Sequence, residues 1–149
     1  MMRAVEAALR KAWTMSWQDR RLLLEAGSLA VLMEIALRVL PFNKLLARLD
    51  AVDAPPDKIA AASSRQACER AVDFAYRALP LTRTCLKESL VLLRMLRGRG
   101  VTSRLCLGVR KSGGRFAAHA WVEHDGTPLE RLDESYAPLP VPHPCVPSS

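Results

Sequence analysis

Apolar residues recur along the chain first at a helical period and then at the alternating period of a strand, and the change falls near residue 100. Leu22, Ala26, Leu29, Ala30, Met33, Ala36, Leu37 and Leu40 follow the helical period until Pro41 removes a donor and stops the helix. Ser16-Trp17-Gln18-Asp19 resembles a capping box at its start. Val31, Leu32, Ile35 and Val39 make its other side apolar as well, which marks either a central core helix or a face offered to a partner; core burial is the expectation. Ahead of it, Val5, Ala8, Leu9 and Met15 suggest a short amphipathic helix in residues 1–15, and Phe42 to Leu49 reads as another short helix. AVDAPPDKIAAASSR then has no sustained period and reads as a linker.

From Ser64, Ala67, Ala71, Ala75 and Leu79 predict a further helix that ends at Pro80, with Cys68 near its apolar face as a core residue. Thr84 is a good N-cap, so the next helix begins at Cys85; Leu86, Leu90, Leu93 and Leu96 follow its period, and Gly98 and Gly100 end it. In RLCLGVR, Leu105, Leu107 and Val109 share one face and Cys106 the other, with Arg104 and Gly108. The turn KSGG joins this strand to RFAAHAWVE in a β-hairpin. Asp125-Gly126 is a two-residue hairpin signal, which pairs Trp121 with Glu130 and His119 with Leu132. Glu130 then shares the face of His119, whereas Asp133 points away unless a bulge shifts the register.

The expected class is therefore α+β. It divides into an N-terminal helical region (1–50), a linker (51–63), a core (64–137) in which the Cys85 helix packs on a small antiparallel sheet, and a Pro-rich tail (138–149). That tail is expected to be extended or disordered, which makes His143 and Cys145 weak site candidates. A surplus of 22 Lys and Arg over 15 Asp and Glu gives a net charge of +7 and favours acidic partners. The basic residues are dispersed and no nucleic-acid-binding motif is present, so solvated basic faces are expected rather than nucleic-acid binding. A membrane span needs about 20 apolar residues; the run from Ser28 to Leu40 is shorter and contains Glu34 and Arg38, so no span is expected. Cys68, Cys85, Cys106 and Cys145 form no CxxC pair and no zinc-ligand spacing, so no metal site is expected. The N-terminus lacks the pattern of a secretory signal, which leads to an expected cytoplasmic location with thiols rather than disulfides.

The candidate chemistry lies between Thr84 and Glu130. Cys85 falls in the first turn of its helix, where unpaired N–H groups and the helix dipole favour a thiolate and can donate to an oxyanion. His119 can accept the thiol proton, and a carboxylate beyond it can fix the imidazole tautomer. A histidine satisfied within a sheet and a cysteine packed in a core are the structural alternative. The order of helix cysteine, strand histidine and following acid is that of a papain-like cysteine peptidase core.

These residues resemble the transglutaminase-like leader peptidases of lasso-peptide biosynthesis. The similarity lies in Cys85-Leu86 with Ser89-Leu90, Arg99-Gly100, Gly108-Val109, and above all Ala118-His119-Ala120-Trp121-Val122-Glu123 followed by Asp125-Gly126. Leu22-Leu23-Leu24-Glu25-Ala26 through Leu40-Pro41-Phe42 looks like the N-terminal helical part of the same family, so the resemblance runs from about Ser16 to Pro138. It implies a cysteine peptidase that removes the leader of a ribosomally made precursor, with Cys85 as nucleophile, His119 as general base and Glu130, or alternatively Asp133, as the acidic third member. It also implies two protein partners, a small leader-recognition protein and an ATP-using lasso cyclase. Nothing in this chain resembles a nucleotide-binding loop, and no cofactor is expected. A silent precursor-binding scaffold and a thiol-dependent acyltransferase or transglutaminase are the alternative functions.

Overall fold

A computed structural model describes residues 16–51, 58–132 and 136–139. The helix expected in 1–15, the stretch 52–57, Asp133 and Glu134, and the tail with His143 and Cys145 lie outside the described residues. Within them the chain forms α1 (Trp17–Val39), α2 (Phe42–Asp50), α3 (Lys58–Ala78) and α4 (Cys85–Arg97), then β1 (Ser103–Ser112), β2 (Arg115–His124), β3 (Thr127–Pro128) and β4 (Ala137–Pro138). The strands make one antiparallel sheet in the order β3-β2-β1-β4, giving an α+β fold.

Local chemistry sets most of the boundaries. The Ser16 hydroxyl accepts from the Asp19 N–H (3.2 Å) and donates to its carboxylate (2.7 Å), as the capping pattern anticipates. α3 begins at Lys58, ahead of the Ser64 start read from sequence, so its first turns lie in the Ala-rich stretch taken as linker. Gly113 and Gly114 (φ 56° and 80°) turn β1 into β2. Asp125 and Gly126 (φ 49° and 78°) make the next turn, a conformation that glycine adopts freely and aspartate tolerates.

One hydrophobic core joins the helices to the inner face of the sheet. Ala26, Ala30 and Met33 of α1, Cys68, Val72 and Tyr76 of α3, and Leu90, Leu93 and Leu96 of α4 pack with Leu105 and Val122. Cys106 and Trp121 form a second cluster, with Leu132 and Tyr136 against it, on the alternate residues of the same strands. Burial is thus two-sided over the middle of the hairpin, and small Ala120 lets α4 approach closely.

Polar ties fix the helices to one another. Arg97 reaches Leu49 O, Ser103 O and the Asp50 carboxylate (3.2, 2.9 and 2.7 Å), joining α2, α4 and β1. Arg99 makes a two-oxygen contact with Glu25 (3.0 and 2.6 Å). Glu34 on α1 meets Lys87 on α4 at 2.5 Å, and its carboxyl is held below the usual range first by that bond and also by Arg38.

Two sequence expectations are corrected. The second apolar side of α1 is not core: Leu32, Ile35 and Val39 are 54%, 52% and 69% exposed, because α3 and α4 cover only the Ala26, Ala30, Met33 and Ala36 face. The four cysteines are not all thiols. Cys68 and Cys85 are free, but Cys106 is disulfide-bonded, a pairing set by proximity in the fold that linear spacing does not reveal. The cysteine argument for a reducing compartment falls with it. Among the described residues no helix is long and apolar enough to cross a membrane.

Met33→Ala is expected to cost about 2–5 kcal/mol by opening a core cavity. Ile35→Ser and Val39→Ser are expected to stay within about 0.5 kcal/mol of wild type. Urea denaturation measures all three, and a loss at Ile35 as large as that at Met33 would contradict the exposed face. For Glu34, a folded-state pKa below the unfolded one means that its contribution is present above the ordinary carboxylate range and is lost as pH falls through the depressed value. Glu34→Gln should therefore lower the Tm at neutral pH, with the gap to wild type closing on acidification.

Candidate functional site

The Cys85 end of α4 is built by its cap. Thr84 accepts the Lys87 N–H on its hydroxyl (3.4 Å) and the Glu88 N–H on its carbonyl (3.1 Å). Among the described residues, the N–H groups of Cys85 and Leu86 have no hydrogen-bond partner, which leaves them free to meet an anion. One turn on, the buried Ser89 hydroxyl donates to Ala120 O of β2 (3.0 Å). That bond places the helix tip against the residue next to His119.

Alternation along β2 turns Ala120 and Val122 toward α4 and puts His119 and Trp121 on the other set of positions. After the Asp125-Gly126 turn, Glu123 pairs with Pro128, and the Leu129 N–H still donates to Val122 O (2.9 Å). Regular pairing stops there, so the expected Trp121–Glu130 and His119–Leu132 ladder pairs are not strand pairs. Glu130 nevertheless lies on the expected side: its Oε1 is 2.7 Å from His119 Nε2. A carboxylate only accepts, so Nε2 carries a proton, and in the neutral ring Nδ1 then holds the lone pair.

Cys85, His119 and Glu130 line one cavity of about 380 Å³. Val72, Leu92, Val122 and Leu129 supply apolar wall, and Glu69, Asp73, Arg83 and Glu88 supply charge. Arg83 bonds the carboxylates of both Asp73 (3.0 Å) and Glu88. Burial pushes the Glu69 and Glu88 carboxyls above the usual range, with nearby arginines opposing the shift. In a chain of net charge +7, the cavity beside the Cys85 thiol therefore has four carboxylates and one guanidinium. Among the described residues, no hydrogen bond joins the Cys85 sulfur to His119; such bonds are often long in substrate-free sites and tighten on binding. No group of three or more His, Cys, Asp or Glu among the described residues could hold a metal ion.

The other candidates lie elsewhere. Cys68 is fully buried among the helices, and burial pushes its thiol up to about 11. His124 has its Nδ1 2.6 Å from Thr102 O, because the hairpin brings the end of β2 beside the start of β1. Asp133 is outside the described residues. Sequence reading gave no role to Ser89, Arg83, Glu88 or Leu92. Three of these have a readable signal, since 88, 89 and 92 fall three, four and seven positions after Cys85 on one helix face.

A capped helix packed across an antiparallel hairpin, with its N-terminus at a cavity shared by a cysteine and a carboxylate-bound histidine, defines a protein of the transglutaminase-like class. The family model described as the Transglutaminase-like superfamily matches residues 29–141. That is well over half of the 149 residues, and the chain belongs to this superfamily. Its members are typically cysteine-dependent enzymes of peptidase or acyltransferase type. Comparison with curated proteins and with solved structures finds no match.

Native alkylation with iodoacetamide is expected to label Cys85 well ahead of Cys68, since one lines the cavity and the other is buried with a raised pKa. Peptide mass mapping reads the ratio, and faster labelling at Cys68 would contradict this placement.

Proposed function

We propose that this protein is a cysteine peptidase that cleaves the leader from a ribosomally synthesised lasso-peptide precursor. The observation that carries the chemistry is the cavity shared by Cys85 at a helix N-terminus and His119 bound to Glu130. The resemblance of the 118–126 segment, the Cys85 helix and the N-terminal helix to leader peptidases supports the substrate.

In this reading His119 Nδ1 removes the Cys85 thiol proton while Glu130 stabilises the imidazolium through Nε2–H. The thiolate attacks the scissile carbonyl carbon, forming the C–S bond, and the oxyanion is met by the free N–H groups at the start of α4. The imidazolium returns its proton to the departing amine as the C–N bond breaks. Water, deprotonated by Nδ1, then attacks the thioester carbon; the acid leaves and the thiol is restored. Asp133 is the alternative third member. A small leader-recognition protein delivers the precursor, and a lasso cyclase takes the core peptide. The exposed stripe of α1 is where the recognition protein or the leader docks, so Ile35→Ser or Val39→Ser would weaken association without loss of fold.

A second reading, acyl transfer, is favoured by the carboxylate-rich cavity wall, which suits a cationic amine as thioester acceptor.

The test incubates wild type and Cys85→Ala with the precursor and recognition protein, with and without a primary amine, and follows product masses. Cleavage at one leader–core bond by wild type alone supports the peptidase. His119→Ala is expected to lower kcat by about 10²–10⁴. Amine-adduct mass at the leader C-terminus would favour transfer, and an intact but bound precursor in both proteins would leave a scaffold.

A further inference from the structure

The outer face of the hairpin carries a second arrangement around His119. In the β1–β2 register Gly108 stands opposite His119, and Cys106 opposite Trp121. The Trp121 and Tyr136 side chains occupy the space that a side chain at 108 would need: a Cβ there would lie 2.7 Å from Tyr136 Cβ and 2.9 Å from Trp121 Cη2. Both rings reach the imidazole, with centroids 5.4 Å away for Tyr136 and 6.2 Å for Trp121, the latter tilted by only 18°. Trp121 is itself anchored, since its indole N–H donates to the buried Glu123 (3.1 Å), whose other oxygen accepts from Arg104 (2.7 and 3.0 Å). Tyr136 is anchored through the backbone that follows it: Pro138 pairs with Gly108, and the Leu139 N–H donates to Leu107 O (2.8 Å).

This arrangement answers a need that the His119–Glu130 bond leaves open. The two side chains are 26% and 49% exposed, so water competes for that bond. Imidazole rotation about χ2 is broad and roughly two-fold, and a half-turn puts Cε1 where Nε2 stood and Cδ2 where Nδ1 stood, which takes both nitrogens out of place. A single solvent-facing bond resists that turn weakly, whereas a ring packed against the imidazole blocks the space through which it would sweep. The geometry points to Tyr136 as a positioning residue: its ring, admitted beside His119 by the absent side chain at Gly108, keeps Nε2 on Glu130 and leaves Nδ1 to the cavity. Tyr136 touches no reacting atom and acts through His119 alone. The inference rests on the proposed thiol–imidazole chemistry and is independent of which peptide is cut.

The experiment compares wild type with Tyr136→Phe, Tyr136→Ala, Tyr136→Leu and Gly108→Ala by three readouts. Two need no substrate: the His119 Nε2–H proton resonance, and the pH dependence of Cys85 alkylation. The third is kcat and KM on the precursor. Wild type is expected to show the Nε2–H resonance, and Tyr136→Phe to retain it, because the ring packs and the hydroxyl does not. Tyr136→Ala and Gly108→Ala are expected to broaden or lose it, to shift the alkylation profile, and to lower kcat by about ten- to a hundredfold with little change in KM. Tyr136→Leu keeps apolar bulk without a flat ring and makes the same comparison if Tyr136→Ala does not fold. A wild type lacking the resonance, or folded Ala and Leu variants that keep both it and the alkylation profile, overturns the assignment. Failure of wild type to cleave the precursor would instead sink the peptidase reading, while the two substrate-free readouts still decide on Tyr136.

Discussion

The hydroxyl of Ser89 bonded to the carbonyl of Ala120 is the contact on which the cavity's geometry depends. It is buried, so leaving either atom unpaired would cost about 1–3 kcal/mol. Ser89 is one turn from Cys85 and Ala120 adjoins His119, so this single bond sets helix tip and strand in one frame. The apolar packing of Leu90 and Leu93 under the sheet supplies most of the attraction but is non-directional. Direction comes from the polar atom and from the small side chain at Ala120, which allows the approach.

Charge is divided by role rather than spread evenly. Arg97, Arg99 and Arg104 are spent on carbonyls and carboxylates within the fold, tying α2, α1 and β2 to their neighbours. These pairs are neutral, so the net charge of +7 resides in the other basic residues of the chain. The cavity wall runs opposite to the whole-chain balance, and burial of Glu69 and Glu88 there opposes their ionisation. Net charge thus says little about what this cavity prefers.

What could be read from sequence was what local chemistry decides. Ser16 and Thr84 cap their helices through bonds that span three residues, and Asp125-Gly126 needs only its own backbone preference. Glu130 was legible for the same reason: a two-residue turn dictates the side on which the chain returns, even though strand pairing ends at Pro128. The α3 start was misplaced because Pro55 and Pro56 outweighed the helix-forming Lys58 and alanines that follow them. Other features exist only once distant segments meet: the Cys106 disulfide, the His124 contact with Thr102, the Arg83 bridge, and the half of α1 left uncovered. Tyr136 belongs with these, since its place beside His119 depends on a gap in another strand.

The hairpin that unites His119 with Glu130 also bears on the order in which the molecule assembles. Those two side chains are 11 residues apart and joined by a tight turn, so they can meet early, by local loop closure. Cys85 comes from a helix whose seat on β2 depends on burying the whole apolar interior. A nascent or partly folded chain can therefore hold imidazole and carboxylate together while its thiol is still elsewhere. In the proposed mechanism, reactivity that needs all three therefore waits on the packing of α4 against β2.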